Sequence, residues 1–282
     1  MSPFSAIYAL LPSAAHALFG PLSSSTTTNR ANQLKDITAG GISLLSSPAS
    51  PLSSKRAALA AQTKRLANAS EASTAIIPIH GYILEGCDCP GSVSPSAILR
   101  AIDSALSEGL SVRLDIDSPG GAVDGVPELS AYIASAVKGG HTIEAFTRGT
   151  CCSAAYWIAA PCSRILATRG ATIGNCGCYA AFPCFAGLNE QSGITVTLFS
   201  SGELKAAGHP DIPLTEKQAA FLASHVQAIA NMFFADVRAA RPDIDEEALT
   251  SGAYYLAATA RSIGFIDELV TEVAERPTKR FA

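Results

Sequence analysis

The chain has 282 residues, 48% of them hydrophobic, with 22 glycines and a formal net charge of -4, enough apolar material for one large or two small α/β domains. The acidic balance leaves no basic footprint, so nucleic acid is not an expected partner. The apolar run of residues 6–19 is broken by Pro12, Ser13 and His16, which excludes a spanning helix there, and no stable membrane insertion is expected.

Residues 1–72 are rich in Ser, Thr, Ala and Pro and read as a low-complexity, flexible N-terminal segment. Residues 1–29 carry no charged side chain, so the basic start of a secretory signal is missing. One helical piece, residues 55–68, has Lys and Arg on one side and reads as a solvated helix. A folded domain is expected over residues 73–275, with 276–282 as a C-terminal tail. It opens on a β-branched strand from Thr74 that breaks at Gly81, and His80 there reads as structural.

Stacked βα units follow. Helical spacing runs through Ile98, Ile102 and Leu106, residues 112–116 form a strand, and helical spacing returns through Leu129, Ile133 and Val137. Between that strand and the second helix lies Asp117-Ser118-Pro119-Gly120-Gly121. Adjacent glycines let backbone N–H groups approach a ligand, although Pro-Gly-Gly alone usually means only a turn.

Residues 141–146 predict a buried strand and residues 154–160 a buried helix, which puts Ser153 where strand turns into helix. A hydroxyl there can face a cleft beside the unpaired N–H groups of a first helical turn, as acyl transfer requires. The same residue could equally be a plain helix cap.

Further strands are expected at 164–168 and 194–199, with a glycine-punctuated stretch at 171–177 between them. A long helix starts after Thr215, whose hydroxyl and Gln218 predict a capping box, with Leu222, Val226, Ile229, Phe233 and Val237 as its apolar stripe. The alternation implies an α/β fold with helices packed on a largely parallel sheet. Phe221, Phe233 and Phe234 add more apolar surface than one sheet face needs, which predicts a homo-oligomer.

The eight cysteines crowd the middle of the chain, several as Cys-x-Cys or Cys-Cys neighbours, which rarely bridge each other. They read as buried thiols in a reducing compartment, without metal-site spacing. None of the five histidines is an obvious base for Ser153. Lysine is the alternative base, if burial lowers its pKa, and Lys205 has the small uncharged neighbours Leu204, Ala206, Ala207 and Gly208.

In order along the chain, these segments resemble the signal peptide peptidase A family of serine proteases, related to the Clp protease and crotonase folds. Residues 76–81 resemble its first core strand and residues 117–121 its glycine turn. Ser153-Ala-Ala-Tyr156 resembles its Ser-Gly-Gly-Tyr turn, Thr172-Ile-Gly174 its Ser-Ile-Gly, and Ser201-Gly-Glu-Leu-Lys205 its Ser-Gly-x-x-Lys. The stretch from Thr215 resembles the start of its long helix, and residues 257–269 its closing segment. The resemblance covers about residues 75 to 270.

It implies a serine endopeptidase with Ser153 as nucleophile and Lys205 as general base and acid, without cofactor or metal. N–H groups at Gly120 or Gly121 and at Ala154 would then bind the oxyanion and the substrate. Ala154 and Ala155 replace two glycines of the family, a version that resembles a phage and prophage branch processing capsid or scaffold proteins. The expected partners are therefore a polypeptide substrate and further copies of the chain, in the host cytoplasm or a virion prohead. The alternatives are a general degrader of peptides like the signal-peptide peptidases, and a non-catalytic assembly protein of the same fold. A crotonase-type acyl-CoA site, which needs no serine nucleophile, fits less well with a lysine placed after a strand.

Overall fold

The computed structural model describes residues 8–10, 74–87 and 89–271. The expected α/β architecture is present as a seven-stranded, largely parallel sheet with helices against it, joined by a smaller four-stranded sheet. The helical piece expected at 55–68 and the tail at 276–282 lie outside the described residues.

The main sheet is built on β2 (Thr74–His80), β5 (Ser111–Ser118) and β7 (Ile143–Cys152), all parallel. Beyond β7 the sheet divides. The first half of β7 pairs with β8 (Arg164–Ala167), which in turn holds β11 (Glu268–Leu269), and its end pairs with β9 (Thr172–Gly174). The edge strand β10 (Tyr254–Leu256) runs antiparallel to β9.

Alternation gives each strand two faces. Val112, Leu114 and Ile116 of β5 and Ala75, Ile77 and Ile79 of β2 enter the core. Arg113 and Asp115 of β5 face the other way, where Arg113 pairs with Glu144 at 3.0 Å.

Helix α1 (Pro95–Ser107) starts where Ser94 accepts the Ala97 N–H and lies on β2 and β5 through Ile98, Ile102 and Ala105. Helix α2 (Val126–Lys138) packs beside it. The six residues of α3 (Ala154–Ala159) are all buried, so this helix is the centre of the core. Trp157 stacks on Phe233 with ring centroids 4.4 Å apart, and its indole N–H donates to Asp236 at 2.8 Å. Arg241 donates to the carbonyls of Ala160 and Cys162, at 2.9 and 2.7 Å, where the chain leaves α3. A charged donor at that end satisfies carbonyls the helix cannot pair.

Phe233 and Asp236 belong to α5 (Glu216–Ala240), which follows the short α4 (Ala186–Gln191) and begins with the expected capping box of Thr215 and Gln218. Its deeply buried side chains, Ala230, Phe233, Phe234 and Val237, all lie in the second half. Leu222, Val226 and Ile229 of the expected stripe are half-buried. The chain closes through α6 (Glu246–Thr250) and α7 (Ala257–Ser262).

The smaller sheet has the order β1 (Tyr8–Leu10), β6 (Gly120–Ala122), β3 (Tyr82–Ile83), β4 (Ser92–Val93). The chain passes from β2 into β3 through Gly81, at φ 84°, where a Cβ would lie 1.9 Å from the Gly91 carbonyl oxygen. Strand β1 falls inside the segment that reads as low-complexity in the sequence.

Two expectations are corrected. Residues 194–199 pair with no strand among the described residues and are exposed, Phe199 to 92%, because β-branched chain without a sheet edge to join has nothing to satisfy its backbone in a ladder. Cys87 and Cys89 are joined by a disulfide, since the turn after Leu84 folds their Cα atoms to 5.4 Å, within bridging reach. The other six cysteines are free, and Cys151, Cys152, Cys162 and Cys176 are buried.

Candidate active site

Ser153 stands between β7 and α3, at the junction expected from the sequence. Its backbone takes φ 55° and ψ -123°, a region that L side chains avoid, and Asn175 is the other non-glycine residue with positive φ among the described residues. The two are neighbours through the backbone of β9. The Ser153 N–H donates to the Gly174 carbonyl at 2.8 Å, while Asn175 is pinned by its own N–H to Ala253 at 2.6 Å and by Nδ2 to Gly252 at 2.7 Å.

The plain-cap reading of Ser153 does not hold, because its side chain accepts no hydrogen bond from the α3 amides. The hydroxyl turns the other way and donates to the Gly177 carbonyl at 3.4 Å. The N–H of Ala154 lies in the first turn of α3, where the helix supplies no acceptor.

Two residues before Ser153, Cys151 is in register with Ser118 of β5, so the glycine turn and the serine leave the sheet at the same end of adjacent strands. Between the Ile116/Thr147 and Ser118/Cys151 pairs, β7 advances by four residues and β5 by two, a bulge spanning Arg148, Gly149 and Thr150. Asp117 fills it. Its Oδ1 accepts the Thr150 N–H at 3.0 Å and occupies the space a Cβ on Gly149 would need, 2.2 Å away. Gly120, at φ 101°, starts β6 with its N–H directed at Ser118 Oγ, 3.2 Å away. Gly121 lies so close to β3 that a Cβ would be 1.8 Å from the Ile83 carbonyl oxygen. Helix α3 packs against β6, which brings Ala154 and the two glycines to one locality.

Lys205 is placed differently from the expectation. It is exposed, in a run of turns over residues 201–208, and its side chain makes no hydrogen bond or ion pair among the described residues. The turns are fastened to the start of α5 instead, where Gln218 Nε2 donates to the Glu203 carbonyl at 2.7 Å. Apolar neighbours in sequence therefore do not bury the lysine, because residues 192–205 as a whole lie on the surface of the single chain.

The neighbouring thiol is a poor substitute for the serine. Burial pushes Cys152 up to about 12, so it stays a thiol at neutral pH, and its Sγ contacts the Thr172 carbonyl at 3.6 Å. His80 is likewise engaged elsewhere. Its Nε2 meets Asp115 at 3.4 Å, a hydrogen bond that raises the imidazole above its ordinary pKa and holds the Asp115 carboxyl below the usual range.

A cleft of about 470 Å³ opens at the 175–179 stretch, lined by Asn175, Gly177, Cys178, Gln227 and Asn231 among others. A second hollow of about 480 Å³, between Tyr132 and His141, lies toward the start of β7, at the opposite end of the strand from Ser153. Among the described residues no group of three or more His, Cys, Asp or Glu side chains is placed to hold a metal ion, and no helix is long and apolar enough to cross a membrane.

Sequence reasoning missed Asp117, Asn175 and Gly177 as parts of the site. Asn beside glycines is a signal for positive φ, so Asn175 was the most findable of the three.

The profile of peptidase family S49 matches residues 136–276, half of the chain, and takes in Ser153, Asn175 and Lys205. The chain belongs to peptidase family S49. Over 203 residues, 70% of this chain, it is 29% identical to "Capsid assembly protease C" of Escherichia phage lambda, covering 46% of that protein. It is 28% identical over 203 residues to "Head-tail preconnector protein GP5" of Enterobacteria phage P21, covering 40% of it. It is also 25% identical over 209 residues to "Protease 4" of Salmonella typhi, covering 32% of that protein. The chain thus spans less than half the length of each of these relatives.

Proposed function

We propose that this S49 chain is a serine endopeptidase that cuts capsid or scaffold proteins during assembly of a phage or prophage head, in the host cytoplasm or the prohead. The observation that carries the catalytic reading is the backbone of Ser153. A buried serine is held at φ 55° with its hydroxyl turned away from the helix it precedes, a strain of the kind that clusters at functional sites. The names of the two phage relatives support the substrate class.

In this mechanism Ser153 Oγ attacks the scissile carbonyl and Lys205 takes the hydroxyl proton. The oxyanion is held by N–H groups at Ala154 and at Gly120 or Gly121. Lys205 then gives the proton to the leaving amine, and water repeats the attack on the acyl-enzyme. No cofactor or metal enters these steps. Burial favours the neutral amine that a general base needs, and Lys205, exposed on the single chain, lacks such cover. The exposed apolar side chains Ile194, Val196, Leu198 and Phe199 lie just ahead of it, and their burial by another copy of the chain would supply that cover.

The exposure of Lys205 also favours a second reading, a non-catalytic assembly protein that retains the S49 fold. Reaction with a fluorophosphonate separates the two. Wild type is expected to label once, at Ser153, and to hydrolyse peptides. Ser153→Ala should not label and should lose turnover by several orders of magnitude. Lys205→Arg should be as damaging as Lys205→Ala, because a guanidinium stays charged at working pH. Absence of labelling in a folded wild-type protein would favour the assembly reading.

A further inference from the structure

Strand β6 has two edges. One is taken by β3, in parallel, at Ile83 and Gly121, and the other would be open but for β1, which pairs antiparallel with Tyr8 opposite Ala122, Ala9 opposite Gly121 and Leu10 opposite Gly120. An open edge next to a nucleophile is where an extended peptide adds as a further strand, its affinity coming from main-chain hydrogen bonds. Here that place is filled by residues of the same chain that lie 110 positions before Gly120 in sequence and are separated from the first strand of the main sheet by residues 11–73. Nothing local forces the contact.

Its direction leads toward Ser153. Antiparallel pairing carries the backbone from the level of Ala122 to that of Gly120. What leaves Leu10 is therefore headed for the Ser118 end of β6, and Ser118 is in register with Cys151, two residues short of Ser153. The sequence continues Leu11-Pro12, and a proline has no N–H to add to a ladder, so the run of residues able to pair ends close to the site. A three-residue strand makes few hydrogen bonds and is readily displaced, yet a tether holds it near the edge at an effective concentration on the order of millimolar.

We propose that residues 8–10 are a tethered occupant of the peptide-binding edge of this S49 chain, which an extended polypeptide must displace before it can reach Ser153. The proposal rests on the peptidase reading for the meaning of the edge, but its test needs no catalysis. In the Ser153→Ala chain, those amides of residues 120–122 that face β1, alternate ones in an antiparallel pair, are expected to be protected from hydrogen exchange. Adding Ala9→Pro, which removes an N–H and fixes a φ foreign to a strand, should abolish that protection while the rest of the domain exchanges as before.

A fluorescein-labelled peptide with the sequence of residues 5–11 should bind the Ala9→Pro double variant about fivefold more tightly than the Ser153→Ala parent. Ser23→Pro, in the same segment, should alter neither measurement. Equal exchange in parent and variant, equal peptide affinity, or no peptide binding to either would overturn the proposal. Protection that fades on dilution would give the strand to a second copy and overturn the assignment to the same chain. Failure of the peptidase reading would show separately, as absence of fluorophosphonate labelling in wild type.

Discussion

Ser153 combines a hydroxyl that faces Gly177 with a backbone conformation that favours glycine. A non-glycine residue held there costs about 1–3 kcal/mol, while glycine would bring an entropic cost of about 0.5–1 kcal/mol to a fixed position. The difference decides the expected sign. Ser153→Gly should be more stable than wild type by about 1 kcal/mol, raising the melting temperature by about 2–4 °C, while losing hydrolysis and fluorophosphonate labelling. Differential scanning calorimetry reads this directly, and a lower melting temperature would mean that the Oγ contact to Gly177 outweighs the backbone strain.

At the level of elements, the site depends on how closely β6 approaches β3. The 1.8 Å from a Cβ on Gly121 to the Ile83 carbonyl oxygen is measured to backbone, so no side-chain rotation can relieve it and the two strands would have to part. Gly121→Ala is therefore expected to cost about 3 kcal/mol or more in urea unfolding. Gly170→Ala, where nothing lies within 4 Å of the added Cβ, should stay within about 0.5 kcal/mol of wild type. Equal stabilities would place β6 further from β3. The bulge in β7 likewise depends on two distant residues. Asp117 and Gly149 are 32 positions apart, and nothing in either local sequence marks the fit of one carboxylate into the space left by one missing Cβ.

Over the whole molecule, the first half of α5 and the segment before it leave Ile194, Val196, Leu198, Phe199 and Phe221 on the surface, while the second half of the same helix is locked into the core by Phe233 and Val237. Exposure of that kind marks an interface more often than solvent. Multi-angle light scattering at micromolar concentration is expected to give a multiple of the 29.0 kDa chain mass. Phe199→Asp should move the population toward the single chain and, under the proposed role of Lys205, lower hydrolysis with it. A wild-type mass of one chain would refute the oligomer.

The sequence by itself determined the succession of strands and helices through β2, α1, β5, α2, β7 and α3, because helical and strand periodicities repeat within a dozen residues and need no partner to be read. It determined the strand-to-helix junction at Ser153 and the capping box at Thr215 for the same reason. The tertiary structure decided whatever depends on a distant partner. Residues 194–199 have strand composition but no edge to join, whereas the unremarkable stretch Tyr8–Leu10 finds one on β6. Lys205 has the neighbours of a buried lysine and lies exposed, since burial is set by what the whole segment packs against. Ser153 ceased to be a possible helix cap only once β9 and Asn175 fixed its backbone, through hydrogen bonds to residues 20 to 100 positions further along the chain that no local pattern encodes.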